Sequence, residues 1–221
     1  ADDMYVEDAV QAAAEALGMP IEMLRGWVME YGPELLEAVR SDSPPDIIVF
    51  SYEAAYASDD ALEPEVVAAI DEQVCAGRYA IAAYGAADLD VDYMAALGVT
   101  AERDLGSTEP TLHGHSTDFW STPYALPDPI EPAGHGYVED NGDIWSAEDV
   151  EVLATADADG TEPVIVAGRS GRTIANGLVF SNYRSSSLYG DADGDSTDDL
   201  VELVTNELAY FCDAEGSSIV D

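Results

Sequence analysis

The chain has 221 residues, of which 46 are Asp or Glu and 7 are basic, for a formal net charge of −39. Its 47% hydrophobic content at this length suits a substantial core and argues against general disorder. So acidic a surface argues against nucleic acid as a partner, and no run approaches the ~18 consecutive apolar residues of a membrane span.

Every basic residue is an arginine, and the acids are spread along the chain rather than gathered in a tail. Self-repulsion at this charge density opposes a compact state in dilute buffer. At about 1 M salt the Debye length falls to ~3 Å and the repulsion is screened. The composition therefore points to a halophilic, high-salt source, with the charge serving solubility more than partner recognition. No signal peptide is visible; a cleavage site ahead of residue 1 would leave none.

Residues 4–17 are Ala-rich with acids near the start and predict a helix stopped by Gly18. Residues 34–40 predict a short second helix, broken by Ser43-Pro44-Pro45. Residues 46–53 form an apolar, β-branched run that reads as a buried strand. Pro64 opens a helix that Gly77 closes, the usual order of these two residues. A second buried strand follows at 79–85, then a short helix at 91–98. This alternation predicts an α/β fold with a mostly parallel, flavodoxin-like sheet and helices on both faces. Residues 106–149 interrupt it as a long insertion rich in Gly, Pro and aromatic residues. Runs at 150–156, 161–168 and 176–183 then read as a β-meander, turned at Asp159-Gly160 and at 168–171. A terminal helix at 198–211 places Leu200, Leu203, Val204, Leu208 and Phe211 on one face. The whole chain, 1–221, reads as a single domain.

Several segments together resemble the class I glutamine-amidotransferase-like fold, including its trehalose-utilisation-like members. They are YVEDAV…ALG, PPDIIVFSY, AGRYAIAAYG, AALGV and TLHGHSTDFW in the first half. VEVLATADADGTEPVIVAGRSGRTIANGLVFSNYRS and LVELVTNELAYF follow in the second. The resemblance implies a nucleophilic cysteine on the turn after the strand at 79–85, but that turn reads Gly85-Ala86-Ala87-Asp88. It implies a histidine near Ser181-Asn182, where none stands. Cys75 precedes its strand and has no base beside it in sequence, so thiol chemistry of the family's kind is not expected. Members of the family also begin with a strand, whereas this chain enters its first helix almost at once. Either that strand lies outside the sequence or the sheet holds a vacancy that a neighbouring subunit's strand could fill.

Four groups of residues are candidates for function. Asp191, Asp193, Asp195, Asp199 and Glu202 fall at positions 1, 3, 5, 9 and 12 of an EF-hand-like loop, a spacing of oxygen ligands suited to Ca²⁺. Ser196 stands where that loop wants glycine, and the alternative is a solvated acidic loop before a helix N-terminus. His113 and His115 flank Gly114 and, with His135 or Asp118, make a Zn²⁺ or catalytic candidate. Trp120, Tyr124, Tyr137 and Trp145 are either a binding surface for carbohydrate or protein, or the small core that pins the insertion. Arg169 and Arg172 pair with local acids or hold an anion. Cys75 and Cys212 permit one disulfide; the alternative is two small buried hydrophobes.

The expectation from sequence is thus a non-catalytic binding or assembly domain of an extracellular, cell-surface or virion protein that self-associates. The alternative is a sugar or small-molecule hydrolase working through His113 and His115.

Overall fold

The structure, a computed structural model, describes residues 6–22, 28–51, 64–83, 91–105, 111–130, 142–178 and 190–214. Helix α1 (Val6–Ala16) buries Ala9, Val10, Ala13 and Ala14, a one-face spacing whose small residues allow close approach. Helix α2 (Val28–Val39) begins upstream of Pro33, earlier than the expected start at 34. Strand β1 (Ile47–Ser51), helix α3 (Pro64–Cys75), strand β2 (Tyr79–Ala83) and helix α4 (Val91–Leu97) follow in the expected order.

Helices α3 and α4 end alike. Gly77 donates to Val74 O and Arg78 to Gln73 O, while Gly98 donates to Ala95 O and Val99 to Met94 O. Both glycines have positive φ (+102° and +71°), which this helix-ending motif requires and most residues resist.

Beyond α4 lie β3 (Ala101–Asp104), β4 (His113–Gly114), α5 (Thr117–Ser121) and β5 (Asp143–Trp145). The insertion expected at 106–149 therefore carries regular structure of its own. Strands β6 (Glu151–Thr155), β7 (Pro163–Gly168) and β8 (Thr173–Asn176) precede the terminal helix α6 (Asp199–Ala214). Strand β8 starts three residues before the expected 176–183, of which residues 179–183 lie outside the described residues. Its register is fixed by β2, with Ile81 opposite Ile174 and Ala83 opposite Asn176.

The main sheet has the order β1-β2-β8-β7-β6-β4. β1/β2 and β2/β8 are parallel, whereas β8/β7, β7/β6 and β6/β4 are antiparallel. The sheet joins the expected parallel strands to the expected meander, whose three long strands are linked by tight turns that permit only antiparallel pairing. One turn places Arg169, Ser170 and Gly171 at positive φ. In the other, Asp157 accepts the N–H groups of Thr161 and Glu162. The six described strands of this sheet are hydrogen-bonded in unbroken order, with no vacancy between them, and β3 and β5 pair in a separate two-stranded sheet.

Side chains alternate between two cores. Ile81, Ile165 and Ile174 face α1, α5 and α6; Ala80, Ala82, Val166 and Ala175 face α2, α3 and α4. The result is three layers, with helices on both faces as expected. Cys75 on α3 and Cys212 on α6 lie on opposite sides of the sheet, and they are not joined. Cys75 is exposed and Cys212 half-buried, so the reading as two buried hydrophobes fails for Cys75.

The arginines of the β7–β8 turn serve the fold. Arg169 donates from Nε to Ala96 O (3.1 Å) and from Nη2 to Ala95 O (3.0 Å), and pairs with Asp71. A cation at the carbonyl end of α4 is favourable there. Arg172 donates to Gly77 O and lies over the Tyr79 ring, 5.7 Å from its centroid.

Candidate functional site

His113 sits on β4, an outer strand of the main sheet, with Nδ1 3.4 Å from Asp128 Oδ1. It also faces the β6–β7 turn. There, burial raises the carboxyl pKa of Asp157, but hydrogen bonds from Thr161 and Glu162 and the neighbouring His113 outweigh it and hold the group below its usual range. His115 is exposed, and a Cβ built on Gly160 would lie 3.5 Å from its ring. Asp118 is exposed on α5, and His135 lies outside the described residues. Among the described residues, neither histidine joins two other His, Cys, Asp or Glu side chains closely enough to hold one ion.

The aromatic residues of the insertion are anchors. Trp120 is 7% exposed, donates from Nε1 to Pro127 O, and packs under β4 so closely that a Cβ on Gly114 would meet its ring at 2.4 Å. Trp145 is 2% exposed and donates from Nε1 to Val164 O. These two tryptophans are therefore core rather than binding surface: each indole N–H finds a backbone carbonyl, which lets the whole ring be buried. Tyr124 is half-buried, and Tyr137 lies outside the described residues.

Helix α6 carries polar residues that the sequence reading overlooked. Asn206 is fully buried and clasps the insertion, donating to Phe119 O and Tyr124 O (both 2.9 Å) and accepting from Tyr124 N (3.0 Å). Asn176 donates to Glu207 (2.7 Å) and accepts from Leu178 N. The signal was present: Thr205-Asn206-Glu207 interrupt the apolar residues of a helix buried from Leu200 to Ala209. Asn206→Ala would leave the carbonyls and amide of the clasp without a partner. It should cost about 2–3 kcal/mol in urea unfolding; a loss below about 0.5 kcal/mol would mean that the clasp does not hold the insertion.

At the other end of α6 is the acidic loop. Asp191, Asp193 and Asp195 each place a carboxylate oxygen within 4.8 Å of the others, the only such group of three among the described residues. The loop winds around Asp191, which accepts from Gly194 N (2.7 Å), Asp195 N (3.0 Å) and Ser196 N (3.0 Å). Gly194 and Ser196 both adopt positive φ (+81° and +82°), so the serine takes the conformation expected of glycine. Asp199 is fully buried; its two oxygens accept from Ala192 N (both 3.3 Å), and its own N–H donates to Gly190 O (2.8 Å).

No protein-family model matches the chain, and no curated protein matches its sequence. What the loop can do must be read from its own electrostatics. Glu202 is 1% exposed, and its Oε2 has no hydrogen-bond partner. Burial pushes its carboxyl up to about 7, and the charges of Asp195, Asp193, Asp199 and Asp191 push the same way. Asp199 is raised to about 6, again mainly by burial. Five carboxyl groups thus converge on one helix end, and the chemistry they offer is that of hard oxygen donors.

Proposed function

We propose that this chain is a non-catalytic binding or assembly domain with an amidotransferase-like α/β fold, belonging to a surface or particle protein of a halophile. The observation that carries the proposal is the sequence after β2. In open α/β sheets chemistry gathers beyond the carboxyl ends of parallel strands. Residues 84–90, which follow β2 there, include neither cysteine nor serine. Fold likeness alone licenses no activity, and the residues that would supply the family's activity are replaced. The net charge of −39 supports the high-salt setting.

A hydrolase is the second reading, favoured by the contact of His113 with Asp128, an arrangement that orients an imidazole as a general base. Light scattering in about 3 M salt, where repulsion is screened, combined with assays of glutamine, ester and glycoside hydrolysis, separates the two. A discrete oligomer without turnover is expected. Turnover abolished by His113→Ala and His115→Ala in a folded protein would transfer the function to the hydrolase reading.

A further inference from the structure

We infer that Asp191, Asp193, Asp195 and Glu202 form a calcium site at the N-terminus of α6, with Asp199 as the residue that positions the loop over the helix. The site is independent of the assembly reading.

An acidic loop before a helix needs no ion: the partial positive charge of the helix end and solvent together account for exposed carboxylates. They do not account for Glu202. Its side chain is 1% exposed, and Oε2 lacks a donor. The nearby loop amides are directed elsewhere: Gly194, Asp195 and Ser196 donate to Asp191, and Thr197 donates to Asp195. A buried carboxylate without a partner is costly, and the three aspartates beside it repel one another. A dication among these oxygens removes both penalties. The aspartates already lie within 4.8 Å of one another, Glu202 must close on them from the first turn of α6, and the Asp199–Ala192 and Asp199–Gly190 hydrogen bonds tie the loop to that helix.

The donor set selects the cation. It is all oxygen and combines three exposed aspartates with one buried glutamate. Each carboxylate has about four lone-pair positions, so those already accepting backbone amides can still ligate. Ca²⁺ takes 6–8 oxygens in an adaptable geometry, with carboxylates binding through one or both oxygens. Mg²⁺ demands a near-ideal octahedron and gives up its waters reluctantly.

The test uses the full chain, stripped with chelator and then titrated with CaCl₂ or MgCl₂ in about 3 M NaCl, so that sodium competes and charge repulsion is screened. Calorimetry should show one saturable calcium site per chain, with affinity on the order of 10⁻⁴ to 10⁻³ M and magnesium at least tenfold weaker. Calcium at about a hundredfold excess over its Kd should raise the melting temperature by about 5–10 °C. Asp193→Asn alters an exposed side chain, so the fold is not at risk, and it should weaken calcium binding at least tenfold. Glu202→Gln should raise the melting temperature of the chelated protein while shrinking its calcium response, opposite signs that a purely structural role would not produce. Absence of saturable calcium binding, an equal response to magnesium, or unchanged calcium affinity in Asp193→Asn would each overturn the assignment.

Discussion

In the presence of chelator, the protein should lose stability as pH rises from about 5 to about 8, the reverse of ordinary acid denaturation. The Glu202 carboxyl has its ordinary value near 4.5 when unfolded and is pushed up to about 7 by burial when folded. Asp199 moves from 3.8 to about 6. Each folded pKa is raised, so the folded state holds protons that the unfolded state has released. The penalty is absent below the unfolded values, grows through the interval, and is complete above the folded values. At ~1.4 kcal/mol per pKa unit, Glu202 alone accounts for about 3 kcal/mol; Asp199 adds less than its separate share because the two groups interact. Burial is the leading cause for both groups, so molar salt, which screens only the charge contribution, should leave most of the slope in place. Urea unfolding in about 3 M NaCl at several pH values measures it directly. Glu202→Gln should flatten the profile, and a flat wild-type profile would show that Glu202 is hydrated when folded.

The acidic loop was legible as a spacing of aspartates, but its energetics were not. Sequence alone presents Glu202 as either a ligand or a residue of the terminal helix. In the structure it belongs to the first turn of α6 and is also buried, within reach of the charges of Asp191, Asp193 and Asp195. Burial depends on which apolar neighbours the rest of the chain supplies, and spacing does not carry that information. The same limit explains the tryptophans. Trp120 and Trp145 lie among glycines, prolines and acids, a setting in which aromatic residues more often pin a loop than form a binding surface. The carbonyls of Pro127 and Val164, which receive their N–H groups, decide for the anchor.

Elements with local punctuation were the readable ones. Gly18, Pro64, Gly77 and Gly98 bound helices as expected because caps act within a few residues. Strands β3 and β4 escaped notice because they are short and owe their pairing to distant partners, β5 and β6. Strand β8 begins at Thr173, ahead of the expected run, whose residues 179–183 lie outside the described residues. In the fold, Asn176 closes the strand by accepting Leu178 N.

Gly142→Ala should be the most destabilising single-methyl addition in the insertion, at about 4 kcal/mol or more. Residues 142 and 143 cross residue 177 backbone to backbone. Asp143 N donates to Gly177 O (2.8 Å), Leu105 N donates to Gly142 O (2.6 Å), and Gly142 bridges Leu178. A Cβ on Gly142 would lie 1.7 Å from Gly177 O, and φ at this residue is +132°. The obstacle is backbone, so no side chain can rotate away; the crossing must open and release the hydrogen bonds that tie β5 to the end of β8. Trp145, whose indole is hydrogen-bonded to Val164 O on β7, would be drawn with it. Gly18→Ala is the appropriate control. Gly18 also has positive φ (+66°), but nothing lies within 4 Å of its added Cβ, so only the conformational cost of about 1–2 kcal/mol applies. Unfolding free energies of the two variants isolate the crossing from the backbone preference. Equal losses would mean that the two glycines do not pass this closely, and that the insertion is held by the Asn206 clasp and its tryptophans without the second tie.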